Sequence, residues 1–194
     1  MSAVFEILIL YKKNITLSEI ISIFKKNKVD LSINEMEVLD DWDYNNHIIL
    51  KVDQIERCED LVAKKKIVMI KGLLRASYCF GISFEIIERE KYAINFWIST
   101  KNIEVLDNYY ITKDNVDIYN MLSQQLTNIL NKDFLILCGI GSEILVNDKG
   151  DNENIVNSSS NVCEWIFPYD KPYKLLERYE KNIINTFTVY SLHG

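Results

Sequence analysis

Two neighbouring segments have the composition of paired β-strands, and they constrain the fold more than any other feature of the chain. Residues 78–87 and 92–99 are rich in β-branched and aromatic residues. The charged sequence at 88–91 (Glu-Arg-Glu-Lys) joins them, and a short polar join between two such runs is typical of a β-hairpin. The fold must therefore include antiparallel strand pairing.

The first 76 residues predict alternating strands and helices. Residues 3–11 are apolar enough for a largely buried strand, and Thr16 with Glu19 forms a capping box that predicts a helix to about Lys28. Segments 32–39 and 47–52 read as a hairpin, Asp53 can cap a second helix, and 67–74 is a further strand. The resulting order, βαββαβ, is that of a ferredoxin-like unit.

The rest of the chain predicts a mixture of helices and strands. A helical period runs from Asp114 to 130, and segments 134–138 and 143–146 read as strands about a Gly-Ile-Gly-Ser break. A polar loop spans 147–161, a last helix follows Pro172, and 186–192 is a final strand. We therefore expect an α+β fold with a mixed or mostly antiparallel sheet and three to four helices. The 194 residues would form a single domain, with 1–76 and 77–194 as candidate sub-units that share one core.

Charge and composition exclude several classes of protein. The net charge is -6 and the pI is near 5.1, which argues against a nucleic-acid-binding protein. The first residues lack the basic start of a secretory signal, and no run approaches the roughly 20 apolar residues that cross a membrane. The four cysteines show no metal spacing and read as reduced thiols. We expect a cytoplasmic protein of bacterial origin, with no membrane partner, cofactor or metal.

The chain lacks a recognisable catalytic set. Its two histidines, His47 and His193, stand in no motif, and a Ser–His or Cys–His nucleophile needs a base held by a third group. Four other clusters are better interpreted as structural features. Gly139–Ser142 is a bulge or tight turn, and Asp148 with Asp151 and Glu153 is a solvated loop. Glu85 with Glu88 and Glu90 belongs to a hairpin tip, and Lys64–Lys66 with Lys71 and Arg75 belongs to a helix C-terminus. We therefore predict no catalytic residues and no enzyme activity.

The segment from Asp30 to Tyr44 is the strongest candidate for a binding site. It holds six carboxylates and no lysine or arginine, and it ends with a tryptophan and a tyrosine. Rigid aromatic anchors inside a patch of one sign match what a protein-binding hot spot requires. The predicted partner-binding residues are Glu35, Glu37, Asp40, Asp41, Trp42, Asp43 and Tyr44. The alternative is an ordinary acidic turn in which Trp42 folds back onto the core.

Size, acidity and the lack of a catalytic set give the chain a general resemblance to the bacterial immunity proteins of contact-dependent or secreted toxin systems. This resemblance implies a non-catalytic inhibitor that binds a basic, nuclease-type toxin domain, whose active site must be cationic to hold phosphates. Two alternatives stay open. One is a small enzyme with a carboxylate-based site, and the other is a structural or oligomeric scaffold in which the hairpin at 78–99 supplies an interface strand.

Overall fold

The structure is a computed structural model that describes residues 4–88, 90–99, 120, 129–144, 146, 151–171 and 173–192. The first half contains β1 (Val4–Tyr11), α1 (Leu17–Lys26), β2 (Leu31–Leu39), β3 (His47–Leu50), a 3-10 helix (Val52–Arg57), α2 (Cys58–Ala63), β4 (Ile67–Leu74), β5 (Tyr78–Glu88) and β6 (Lys91–Ser99). The second half contains β7 (Leu135–Gly141), α3 (Asn152–Ser158), β8 (Val162–Phe167), a second 3-10 helix (Lys174–Arg178), β9 (Glu180–Ile184) and β10 (Phe187–Ser191).

All ten strands belong to one antiparallel sheet, in the order β3-β2-β4-β5-β6-β1-β7-β8-β10-β9. Strands hold 47% of the described residues and helices only 22%, and two of the three α-helices in this part are just six or seven residues long. The predicted balanced α+β fold with three to four helices is therefore wrong. The fold is dominated by its sheet because several segments read as helix or loop are strands.

The ferredoxin-like start is also wrong, although the order of its elements is present. In such a unit the first strand lies inside the sheet of its own unit. Here β1 pairs with β6 and β7, and β4 pairs with β2 and β5. The β5–β6 hairpin, confirmed as predicted, therefore lies between β4 and β1.

The second half differs from the sequence expectation in four places. Strand β7 runs through Gly139 to Gly141, and the described residues of 143–146 are not in a strand. The polar loop contains α3, capped by the Asp151 side chain. The expected last helix is one short 3-10 helix followed by β9, and β8 was not predicted at all. The helix expected from Asp114 lies almost entirely outside the described residues.

The two faces of the sheet are covered differently. On the front face, the β1 side chains of Ile7 and Ile9 join a core with residues of α1 and α2. On the back face, Leu8 and Leu10 join a second core with Trp165, α3 and the second 3-10 helix, on the β1–β7–β8–β10 half of the sheet. The other half of the back face carries a small third apolar cluster of Leu39, Ile67 and Met69 beside polar side chains that include Ser83 and Glu85. No helix in the described ranges is long and apolar enough to span a membrane.

Two glycines on the back face make room for tryptophans on the neighbouring strands. A Cβ added at Gly81 would lie 2.0 Å from the Trp97 ring, directly opposite on β6. One added at Gly139 would lie 2.6 Å from the Trp165 ring, directly opposite on β8. A strand glycine often marks such a close approach. These glycines are therefore packing positions inside strands. The segment Gly139–Ser142 was predicted as a bulge or tight turn; β7 continues to Gly141, and its register against β8 shifts between Ile140 and Gly141.

Candidate functional site

The predicted binding residues lie on the edge hairpin formed by β2 and β3. Glu35 and Glu37 belong to β2, and the turn from Asp40 to Asn46 joins the two strands, with the Asp40 N–H donating to the Asn46 carbonyl at 3.3 Å. Inside the turn, the Asp41 carboxylate accepts a hydrogen bond from the Asp43 N–H at 3.0 Å. The sequence segment thus becomes one strand and one exposed tip.

Two lysines neutralise much of the acidic run. Lys71 of β4 lies 2.6 Å from Glu37 and 3.3 Å from Glu35, and Lys66 lies 2.6 Å from Asp40. The pairing of β2 with β4 brings these charges together, which the sequence does not show because Lys71 is 34 residues from Glu37 and Lys66 is 26 residues from Asp40. Among the described residues, no lysine or arginine forms an ion pair with Asp41 or Asp43. The unneutralised charge therefore lies at the tip.

Trp42 is neither a core residue nor free of the sheet. Its indole N–H donates to the Glu85 carboxylate of β5 at 3.1 Å, yet 49% of its surface stays exposed. The Tyr44 hydroxyl donates to the Met69 sulfur at 3.6 Å, and Tyr44 is 47% exposed. Both aromatic side chains are thus held in place on the back face while presenting about half of their surface to solvent.

Exposed apolar side chains continue from the tip onto the edge strand. Ile48 and Ile49 of β3 are 62% and 59% exposed, and among the described strands β3 has a neighbour on one side only. The sequence analysis missed them because an edge position cannot be read from a local pattern. We call the following residues the hairpin surface: Asp41, Trp42, Asp43, Tyr44, Ile48 and Ile49. It combines two carboxylates with four large apolar side chains.

A pocket of about 200 Å³ opens on the back face beneath Trp42. Its floor comes from directly paired residues of three strands, with Ser83, Asn95 and Leu8 in one row and Glu85 and Ala93 in the next. The full lining is Leu8, Trp42, Ser83, Glu85, Ala93, Asn95, Ile144 and Val146. The sequence analysis did not find this pocket, because its residues come from distant parts of the chain.

Glu6 is a buried carboxyl beside this pocket. It accepts hydrogen bonds from the Asn95 side-chain amide at 2.8 Å and from the Ile144 N–H at 2.5 Å. Burial raises the pKa of Glu6 above its ordinary value of 4.5, although these two hydrogen bonds lower it, and the nearby Glu143 raises it further. Both carboxyl oxygens are engaged, so Glu6 fixes the side-chain amide of Asn95 and the chain at Ile144.

Replacing Glu6 by Gln is expected to flatten the dependence of stability on pH. Between pH 4.5 and the raised folded-state pKa, the folded protein binds more protons than the unfolded chain, so the free energy of unfolding falls as pH rises. The Glu6→Gln variant lacks this titration, so its free energy of unfolding should increase relative to that of the wild type as pH increases. Urea unfolding from below pH 4.5 to neutral measures the effect, and the exposed Glu177→Gln is the control. If the free energies of unfolding of Glu6→Gln and the wild type change with pH in parallel, the raised pKa of Glu6 is contradicted.

The remaining candidates for chemistry are structural. Three cysteines are buried, and burial raises the pKa of the Cys58 and Cys163 thiols to about 12 and that of Cys138 higher still, so all three stay protonated. The fourth, Cys79, is exposed. In a cavity of about 540 Å³ near α1, the Tyr11 hydroxyl donates to the Ile129 carbonyl and accepts from the Asn131 N–H.

Comparison with protein-family models, with curated proteins and with solved structures finds no match to the chain. The function must therefore be argued from the hairpin surface and the pocket alone. Within the described ranges, no group of three or more His, Cys, Asp or Glu side chains is arranged to hold a metal ion.

Proposed function

We propose that this protein is a non-catalytic inhibitor of the immunity-protein type, which docks its hairpin surface onto a basic partner. One observation carries the proposal. Of the eight large hydrophobic side chains that are exposed in the described part of the chain, four lie together on this hairpin: Trp42, Tyr44, Ile48 and Ile49. Trp42, Tyr44 and Ile49 are on the back face and Ile48 is on the front face, so these apolar side chains wrap around the edge of the sheet. Exposed apolar side chains grouped at one edge and rimmed by polar residues typically mark a protein-binding site.

The charge of the hairpin surface favours a basic partner. Asp41 and Asp43 stand at its tip beside Trp42, and the whole protein carries a net charge of -6. Negative charge around aromatic anchors accelerates encounter with a positive surface and orients the two proteins. A nuclease-type toxin domain has the required cationic site, because it must hold phosphates. We place the encounter in the cytoplasm, where such an inhibitor protects its own cell.

Affinity capture from the native cell tests this function. The tagged protein is expected to retain one stoichiometric basic protein, identified by mass spectrometry, and this protein should lose a measurable activity on nucleic acid when the inhibitor is added. A partnerless monomer would contradict the proposal. So would a captured partner whose activity is unchanged by binding.

A small enzyme with a carboxylate-based site is the second candidate, because Glu85 lines a pocket and the raised-pKa Glu6 lies beside it. It is less favoured, since both oxygens of Glu6 already accept hydrogen bonds and Glu6 is not among the lining residues. The scaffold with an interface strand at 78–99 loses its basis, because β5 and β6 are each paired on both sides.

A further inference from the structure

We propose that the pocket beneath Trp42 receives one arginine side chain of the basic partner. This inference rests on the proposed function for the source of the arginine, while the pocket itself is defined by the geometry of the sheet. The pocket adjoins the hairpin surface, because Trp42 belongs to both. A partner docked on the hairpin would therefore reach it without a separate interface.

The polar lining selects a hydrogen-bond donor. The Asn95 side-chain amide donates to the Glu6 carboxylate, which fixes its carbonyl oxygen, Oδ1, on the other side. This Oδ1 is buried and has no hydrogen-bond partner in the described part of the chain. Ser83, directly opposite on β5, supplies a hydroxyl, and Glu85 supplies a carboxylate. A guanidinium group offers five donors to such acceptors, and an anion offers none.

The charge of the lining agrees with this assignment. Its ionisable side chain is Glu85, and the lining includes no lysine or arginine. The buried Glu6 lies outside the lining itself and contacts the lining residue Asn95 through a hydrogen bond. A cation entering the pocket therefore meets carboxyl groups among the described lining and its immediate surroundings, and hydrogen bonds to a carboxylate are strengthened by its charge.

The apolar lining and the size favour arginine among cations. Leu8, Ala93, Ile144 and Val146 provide walls for an aliphatic stem, and about 200 Å³ accommodates one long side chain. Trp42 closes the pocket with an indole ring, on which a planar guanidinium stacks better than a compact ammonium group does. Apolar walls, an aromatic ring and acceptors at the base are together the features of an arginine subsite.

The test uses the isolated protein and a small probe, N-acetyl-arginine amide. Its neutral isostere, N-acetyl-citrulline amide, has almost the same shape without the charge. Binding is followed by NMR at the indole N–H of Trp42, assigned with a Trp42→Phe variant among the three tryptophans. The arginine probe is expected to bind at least about tenfold more tightly than the citrulline probe, because its hydrogen bonds are charge-assisted.

Two variants locate the site. Ser83→Val replaces the hydroxyl acceptor by an apolar side chain and should weaken binding, and Glu85→Gln, which keeps the shape of the side chain, should weaken binding about tenfold. Asp41→Asn, on the turn outside the pocket, is the control and should leave binding unchanged. Equal binding of the two probes would overturn the proposal. Unchanged binding in Glu85→Gln would also overturn it, even if Ser83→Val fails to fold.

The outcome is separable from that of the proposed function, because the probe binds without a partner protein. If the probe binds as expected and capture yields no partner, the inhibitor function fails and the pocket remains an arginine site. If a basic partner is captured but the probe does not bind, the docking function stands and the pocket assignment is wrong.

Discussion

Trp42→Ala is expected to raise the dissociation rate of the captured partner about 30-fold, corresponding to about 2 kcal/mol of binding free energy. Trp42 supplies a rigid aromatic surface beside Asp41 and Asp43, and its hydrogen bond to Glu85 holds the ring in place before binding. A side chain that is already oriented loses little entropy in the complex, which is the property of an anchor. Surface plasmon resonance with the purified partner measures the rate.

The matched control for Trp42→Ala is Tyr169→Ala. Tyr169 is an aromatic residue 61% exposed, outside the hairpin, and its removal should leave the dissociation rate unchanged. Thermal unfolding of both variants accompanies the kinetics. An unchanged dissociation rate for Trp42→Ala would remove this residue as an anchor, and loss of folding would show that its contact with the sheet is structural.

Gly139→Ala is expected to destabilise the fold by about 1–3 kcal/mol, the usual cost of forcing extra atoms into a packed core. The added Cβ would lie 2.6 Å from the Trp165 ring, and Trp165 is completely buried, so the ring has nowhere to move. Chemical denaturation measures the cost. Asn182→Ala, on the exposed strand β9, is the control and should change stability by less than about 0.5 kcal/mol.

A double-mutant cycle assigns the cost of Gly139→Ala to the tryptophan. In a Trp165→Leu background the ring is gone, and adding the Cβ at Gly139 should then cost much less than in the wild type. An equal cost in both backgrounds would show that the close approach of Trp165 is not the cause. A different contact of the added Cβ would then be the cause, since the backbone entropy of Gly→Ala favours the folded state.

Elements with strong local signals were predictable from the sequence. The capping box between Thr16 and Glu19 is confirmed, with each side chain bonded to the other residue's backbone N–H. The strands at 4–11 and 67–74 and the hairpin at 78–99 are also confirmed, because their β-branched and aromatic composition needs no tertiary context. These signals identify elements and leave the pairing between distant strands undetermined.

Nonlocal pairing explains the errors in the fold. The segment around Ile183 has a period consistent with a helix, but a hairpin with β10 makes it a strand. The segment Gly139–Ser142 reads as a bulge or tight turn, whereas in the structure β7 continues to Gly141, with a register shift against β8 between Ile140 and Gly141. The central position of β1, between β6 and β7, depends on contacts between residues that lie 81 to 135 positions apart, from the pair Tyr11–Tyr92 to the pair Glu6–Gly141. A single sequence carries no direct record of such contacts.

In the candidate site, too, local features were predictable from the sequence and contacts between distant strands were not. The sequence predicted a segment with exposed acidic and aromatic residues, and the structure places Asp41, Trp42, Asp43 and Tyr44 at an exposed tip. The one-signed patch is reduced by Lys71 and Lys66, which only the pairing of β2 with β4 brings near. Glu35, Glu37 and Asp40 form ion pairs within the chain, and their contact with another protein stays a prediction.

Capture from the native cell with two charge-reversed variants tests the docking claim most directly. Asp41→Lys with Asp43→Lys reverses the tip, and Glu177→Lys with Glu180→Lys makes the same change in net charge near the opposite edge of the sheet. We predict that the first variant loses the basic partner that the wild type retains, while the second keeps it. Equal retention by both variants, at matched salt and with both proteins folded, would contradict docking through the hairpin surface.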